Sequence, residues 1–262
     1  MEKADKIIKK LADGFSSLEN CSALAVSGSR TSAIHDDASD WDIYIYSSTR
    51  IDPAVRKKIL SSLTDDYRIC SSFFEEGDDF TAEGICFDLM YRDTGFVHEQ
   101  IRRVWTDHTP SLGYTTCFLH NLKTSRFLFD KAGLEEEIRA LDGEYPQELS
   151  DRIIEYNMKM MYSGEGCWMN QLRSAVMRDD FVSRNHRLAA LMASYFDILF
   201  AYNKVFHPGE KKLVRYAHLL CPSLPQDFDS DLNAVYSAAY QGDLTGAVER
   251  TLDHLRAMIR RT

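Results

Sequence analysis

Residues Ser39-Asp40-Trp41-Asp42-Ile43-Tyr44-Ile45-Tyr46 set two aspartates, two positions apart, at the head of an apolar, alternating stretch. Such alternation marks a strand, and a strand sends residues i and i+2 to the same face. Asp40 and Asp42 therefore project together, while Trp41 and Ile43 face the other way. A second stretch, Ile85-Cys86-Phe87-Asp88-Leu89-Met90-Tyr91, carries a third aspartate in similar apolar surroundings. If the two strands pair side by side, Asp88 joins the first two. Three ionised carboxylates at one spot repel each other and stabilise a fold poorly. A divalent cation removes the conflict, because Mg²⁺ prefers hard oxygen ligands and recruits phosphate oxygens as well. The constellation points to metal-dependent phosphoryl or nucleotidyl transfer.

Periodicity places further elements around these two strands. Ile7, Ile8, Leu11, Phe15 and Leu18 form a helical stripe over residues 3–18, and residues 22–27 read as a strand ending at Gly28. Asp52-Pro53 opens a helix to about Leu63, with the cap residue before a first-turn proline. Strands are expected over 67–74, 81–91 and 126–130, with helical patterns over 94–106 and 114–122. Past Gly143 the texture changes. Tyr145-Pro146 looks like a boundary, and helical patterns follow over 148–162, 165–178, 183–206, 209–220, 229–240 and 243–260, broken mainly at Gly and Pro. The expected fold is α+β: a mixed sheet flanked by helices over 1–143, then an all-helical bundle over 144–262.

The balance of 40 acidic against 31 basic residues gives a formal net charge of −9. A chain that grips an extended nucleic acid normally carries a basic stripe, so no extended nucleic-acid partner is expected. A nucleoside triphosphate arriving with Mg²⁺ needs only a few local cations. No apolar run approaches the ~18–20 residues of a membrane span, and the polar start, Met1-Glu2-Lys3-Ala4-Asp5-Lys6, lacks the apolar core of a signal peptide. The six cysteines form no Cys-x-x-Cys pair and suggest reduced thiols in a cytoplasmic setting.

In chain order come an apolar strand, Gly28-Ser29, ten intervening residues, Asp40-Trp41-Asp42-Ile43 and later Phe87-Asp88-Leu89. In this the chain resembles the polymerase-beta-type nucleotidyltransferase superfamily, whose pattern is a Gly-Ser turn, a similar spacer, Asp-x-Asp on one strand and a third carboxylate on a neighbour. The pairing with a helical second half is similar to the small-molecule branch, which includes aminoglycoside and lincosamide nucleotidyltransferases. Ser125-Arg126-Phe127-Leu128-Phe129-Asp130-Lys131-Ala132-Gly133 also resembles a stretch that closes the catalytic domain there.

The resemblance implies a nucleotidyltransferase catalytic domain over 1–143 and a helical substrate-binding domain over 144–262. It implies attack by a hydroxyl of a small acceptor, such as an amino-sugar, on the α-phosphate of ATP or another nucleoside triphosphate, with pyrophosphate released. Gly28 would let backbone approach phosphate, and successive N–H groups would form an anion nest. Ser29, at an expected helix N-terminus, would hold the β- or γ-phosphate, and Arg30 would neutralise the leaving group. Asp40 and Asp42 would hold Mg²⁺, with Asp88 completing a second metal position or activating the acceptor hydroxyl; two ions fit such a displacement. A homodimer is compatible with the resemblance.

Other residues carry weaker signals. Asp36 and Asp37 fall in the spacer and read as solvated loop carboxylates. In the helical half, Lys204, Lys211 and Arg215 are candidates to reach a triphosphate, and Glu155, Glu165 and Glu210 are candidates for a general base. Asn203 reads as a helix-junction residue, and Met158, Met160, Met161, Trp168 and Met169 as core. His186, His207 and His218 read as capping or filling residues, and the Arg103 and His108 spacing as coincidence. Two alternatives stay open: a nucleotidyltransferase acting on a protein or an RNA end, and an antitoxin-like nucleotide-binding regulator without turnover.

Overall fold

The computed structural model describes residues 2–31, 34, 39–71, 76–239 and 242–260; Asp36 and Asp37 lie outside them. The chain divides into two compact units: one runs to Arg102 and resumes over Asn121–Gly143, and the other comprises Arg103–His120 and the chain from Glu144 onward. The fold is α+β, with a mixed six-stranded sheet and helices in the first half and helices alone in the second.

The first unit begins with α1 (Glu2–Ser16), whose apolar stripe Ala4, Ile7, Ile8, Leu11, Ala12 and Phe15 is buried. Then come β1 (Cys21–Ser27), β2 (Trp41–Ser47), α2 (Pro53–Ser61), β3 (Tyr67–Arg68), β4 (Gly77–Ala82), β5 (Ile85–Asp93) and α3 (Thr94–Ile101). The chain returns from the second unit within α4 (Cys117–Thr124), and β6 (Arg126–Asp130) and α5 (Leu134–Arg139) follow. Strand order is β3-β4-β5-β2-β1-β6. The β2–β5 pair is parallel, and the others are antiparallel. Leu24, Val26, Trp41, Ile43, Ile45, Phe80, Phe87 and Leu89 meet α1 and Leu60 of α2 in one core. Each such buried side chain contributes about 1.5–3 kcal/mol, so this face fixes strand register. As expected, Asp52 caps α2, its Oδ1 accepting from the Ala54 N–H at 2.7 Å ahead of Pro53.

The region from 67 to 91 differs from its sequence pattern. The strand expected over 67–74 is present as Tyr67–Arg68, with 72–74 outside the described residues. In place of one strand over 81–91, a hairpin turns at Glu83 and Gly84, which carry φ of 52° and 77°, and Ala82 pairs with Ile85. Positive φ at both central residues is the geometry of a two-residue hairpin turn. Glutamate rarely takes the first of those positions, so the turn is poorly announced. The start of β4 is also disguised, because Gly77-Asp78-Asp79 reads as loop. Asp78 is tolerated in the core because the fully buried Arg56 of α2 lies against it, Nε to Oδ2 at 3.5 Å. Asp78 also accepts from the Tyr91 hydroxyl at 2.7 Å and from the Cys70 N–H at 2.8 Å. The Arg56 guanidinium reaches Glu76 at 3.0 Å and covers the Tyr91 ring at 4.4 Å.

In the second unit, α6 (Gln147–Tyr162), α7 (Trp168–Met177), α8 (Phe181–Tyr202), α9 (Leu213–Leu220), α10 (Phe228–Ala238) and α11 (Leu244–Ile259) follow one another. Residues 103–120 pack with them, although the sequence texture changes only after Gly143. Trp105 meets Tyr145 and Phe206 edge-on at 5.9 and 5.4 Å. Thr115 donates twice to Asp197, from its N–H at 2.9 Å and its hydroxyl at 2.7 Å. Asn157 adds a third bond to Asp197 at 3.0 Å and accepts from the Gly113 N–H at 3.2 Å.

Burial outweighs those three hydrogen bonds and pushes the Asp197 carboxyl up to about 6. Its folded-state affinity for a proton then exceeds that of the unfolded chain, so its contribution is present at low pH and is lost as pH rises through about 6. The difference in unfolding free energy between the native chain and Asp197→Asn is therefore expected to shrink by on the order of 2–3 kcal/mol between about pH 4 and pH 6.5. Urea titrations across that range check it; a pH-independent difference would contradict it. Among the described residues no helix is long and apolar enough to cross a membrane, and all six cysteines are free thiols.

Candidate active site

The sheet face opposite the core carries a polar row. Register pairs Arg68 with Asp79, Asp79 with Asp88, Asp88 with Asp42 and Asp42 with Ser27, across five consecutive strands. Register partners point to one face, with strands about 4.8 Å apart. Asp42 and Asp88 are thus neighbours, as their sequence settings require. Beneath them on the core face, Trp41 pairs with Phe87, and Phe87 with Phe80. The Phe80 and Phe87 rings stack at 4.6 Å, and Phe87 stacks with Trp41 at 6.4 Å. The aromatic row locks three strands in the alignment that brings the carboxylates together.

Asp79 and Arg68 were not candidates from sequence. A hairpin centred between Glu83 and Gly84 pairs residues whose numbers sum to 167, as in Ala82 with Ile85 and Asp79 with Asp88. Recognising that turn would have found Asp79 opposite Asp88. Arg68 and Asp79 form an ion pair at 3.1 Å, and the Ser71 hydroxyl donates to Asp79 at 2.6 Å. The Asp88 carboxyl is raised above its usual range, first by partial burial and then by the negative charges of Asp79 and Asp40, with Arg68 opposing. Asp40, just before β2, is exposed, whereas Asp42, Asp79 and Asp88 are half-buried.

At the end of β1 the chain makes one 3₁₀ turn, Gly28–Arg30. Ser29 therefore sits in this turn and not at the start of a longer helix. Gly28 has φ of +69°, and a Cβ built there would lie 1.7 Å from Asp42 Oδ2 and 2.6 Å from its Cγ. The Asp42 carboxylate thus occupies the space that a side chain at position 28 would fill, and acid and turn backbone touch. Gly28→Ala is expected to cost about 1–2 kcal/mol for the left-handed backbone alone and to displace Asp42. The checks are thermal unfolding and the position of residue 42 in a crystal structure of the variant; an unmoved Asp42 would refute the coupling. Arg30 folds back onto the chain, its Nε and Nη2 donating to the Ser39 carbonyl at 3.0 and 2.6 Å, with the guanidinium 5.2 Å from the Trp41 ring. In this position it ties the end of the spacer down beside Asp40. Ser27 is held by Asn121, whose Nδ2 donates to its hydroxyl at 2.8 Å, and Asn121 Oδ1 accepts from Arg92 at 3.4 Å.

Among the described residues no group of three or more His, Cys, Asp or Glu is placed to hold a metal ion as it stands. The donor set nevertheless suits Mg²⁺, which typically takes one or two carboxylates and completes its shell with water and substrate phosphate. Asp42, backed by the Gly28 turn and flanked by Asp40 and Asp88, offers that kind of partial shell.

The candidates in the helical half take ordinary places. Asn203 caps α8, its Nδ2 donating to the Leu199 and Ser223 carbonyls and its Oδ1 accepting from the Ser223 N–H. Lys204, Lys211, Arg215, Glu155, Glu165 and Glu210 are exposed. Met161 and Met169 are buried, while Met158, Met160 and Trp168 are half-buried. His218 pairs with Asp229 at 2.9 Å, and burial drives the His207 imidazole down to about 3. Arg103 bonds the Thr109 carbonyl, and His108 lies 3.3 Å from Glu148.

No family model matches the chain, and no curated protein matches it. Its structure is similar to that of a nucleotidyltransferase-like protein from Exiguobacterium sibiricum 255-15, with a TM-score of 0.48 and 9% sequence identity over 98% of this chain and 75% of that one. A likeness of that degree decides nothing about chemistry.

Proposed function

We propose that this chain is a Mg²⁺-dependent nucleotidyltransferase that moves a nucleoside monophosphate, AMP from ATP in the leading case, to a hydroxyl of a small molecule such as an amino-sugar, and releases pyrophosphate. The observation that carries it is the contact between the Asp42 carboxylate and the Gly28 turn, with Asp88 in register beside Asp42. An acid suited to a metal, in contact with a left-handed glycine turn, is what triphosphate binding asks for.

Under this proposal Asp40 and Asp42 hold Mg²⁺, with Asp88 completing a second position or orienting the acceptor. Bound magnesium supplies charge neutralisation on the phosphates. The backbone at Gly28 and Ser29 cradles the triphosphate tail, with Arg30, which donates to the Ser39 carbonyl, set to neutralise the leaving group. The acceptor hydroxyl forms the new O–P bond as the bond from the α-phosphorus to pyrophosphate breaks. Pyrophosphate leaves with the electron pair, and the hydroxyl proton passes to Asp88 or to solvent. Such transfer is mostly positioning and electrostatics. Residues 1–143 act as the catalytic domain and 144–262 as the substrate-binding domain, with a homodimer admitted.

The test combines purified protein, Mg²⁺, each nucleoside triphosphate and a panel of hydroxylated acceptors that includes aminoglycosides and lincosamides. Acceptor-dependent pyrophosphate release, with the acceptor gaining the mass of one nucleoside monophosphate, is expected. Modification of a protein or RNA end instead would move the target to the macromolecular alternative, and nucleotide binding without turnover would favour a regulator.

A further inference from the structure

The second unit holds a polar cleft of about 230 Å³ lined by Glu165, Asn170, Gln171, Ser174, Arg178, Ser183 and Arg187. The residues from α7 and its C-terminal cap recur at positions 170, 171, 174 and 178, one face of a helix, and those from α8 at 183 and 187, one turn apart. Met169, Leu172 and Ala175 of α7 and Leu188 and Leu191 of α8 are buried, as on packed amphipathic helices; the cleft beside them is lined by amide, hydroxyl and guanidinium groups. Two of the amides are partly used inside the fold. Asn170 donates to the Gly164 carbonyl and Gln171 to the Gly166 carbonyl, which pins the segment carrying Glu165. The Arg187 guanidinium lies 5.5 Å from the Trp168 ring centroid, a contact that orients it without using its donor fork.

The arginines are the informative part. Arg184 on the same helix pairs with Asp179 at 2.6 Å, and Arg173 on α7 pairs with Glu249 at 2.6 Å. Among the described residues, no carboxylate lies within ion-pair distance of Arg178 or Arg187. Two guanidiniums without a carboxylate at ion-pair distance, Arg178 with Asp180 as its more distant electrostatic partner and Arg187 against the Trp168 ring, meet at one cleft in a chain of net charge −9. Guanidinium forks match carboxylate and phosphate oxygens in pairs, while serine hydroxyls, amides and the Glu165 carboxylate suit the hydroxyls of a sugar-like body. The cleft is smaller than the ~300–1,000 Å³ sites of drug-sized ligands, so the occupant is of monosaccharide size.

We propose that this cleft binds a small polyhydroxy molecule bearing a phosphate or carboxylate, with Arg178 and Arg187 on the anionic group and Glu165 on hydroxyls. It stands independently of the nucleotidyltransferase proposal. The test is amide and arginine side-chain NMR of the full chain titrated with ribose 5-phosphate, gluconate or ribose. At least one anionic probe is expected to shift signals of Gln171, Ser174 and Arg187, and comparison of the two tells phosphate from carboxylate; ribose is expected to shift them at least tenfold more weakly. Arg178→Gln/Arg187→Gln is expected to weaken the anionic probe at least tenfold. Arg187→Lys, which keeps the charge but not the fork, should weaken it less. Asp42→Asn should leave it unchanged, which separates this cleft from the aspartate row. Absence of shifts from both anions, equal response to ribose, or full binding by the double variant would overturn the proposal.

Discussion

Asp42→Asn is expected to lower nucleotidyl transfer by at least about 10³-fold, because it removes one charged ligand from a partial metal shell whose electrostatics carry the reaction. The fold is expected to hold or gain stability. Asp42 sits beside Asp88 in register, with Asp40 just before the same strand, and neutralising one member of that group relieves repulsion. Asparagine is nearly isosteric, so the close fit against Gly28 survives. Asp88→Asn should be similarly severe in rate. The measurements are single-turnover transfer with the acceptor identified by the panel, and urea unfolding of each variant. Near-native turnover by Asp42→Asn would remove the site from the row of aspartates altogether.

Arg56→Ala is expected to do the reverse. It strips the cation from Asp78, which is 1% exposed, and removing one partner of a buried pair costs about 3–5 kcal/mol. It also takes the guanidinium from the Tyr91 ring and from Glu76. Arg56→Ala/Asp78→Asn should recover part of the loss, because no buried charge then lacks its partner. Arg56 and Asp78 belong to the core side of the sheet, where Asp78 pairs with Leu89, whereas the Asp79–Asp88–Asp42 row faces the other way. Any transfer activity should therefore persist at temperatures where the variant is folded. Urea unfolding and activity below the lowered midpoint check both halves; a loss under about 1 kcal/mol would mean that the pair is not buried as described.

The residues that carried the functional expectation were legible because strand periodicity is a short-range property. Asp42 beside Ile43 and Asp88 beside Leu89 each declare a face, and parallel pairing of β2 with β5 then makes them neighbours. Asp52-Pro53 declared the start of α2 for an equally local reason. Features set by distant partners were hidden. Asp78 and Asp79 look like loop until Arg56 and Arg68 are known to meet them. Residues 103–120 follow the first half in sequence but join the helices through Thr115 and Asp197, 82 positions apart. An isolated aspartate amid Tyr195, Phe196, Ile198 and Leu199 was the available sign that something distant had to satisfy it. Arg30 donates to the Ser39 carbonyl, nine positions on, a pairing that local periodicity does not announce.

The most direct measurement is anomalous diffraction from crystals of the protein grown with Mn²⁺ and a nonhydrolysable ATP analogue. A manganese peak bridging Asp42 and the triphosphate, with phosphate oxygens against the Gly28–Ser29 backbone, is the predicted result. An analogue bound elsewhere, or bound here while no metal meets Asp40, Asp42 or Asp88, would contradict it.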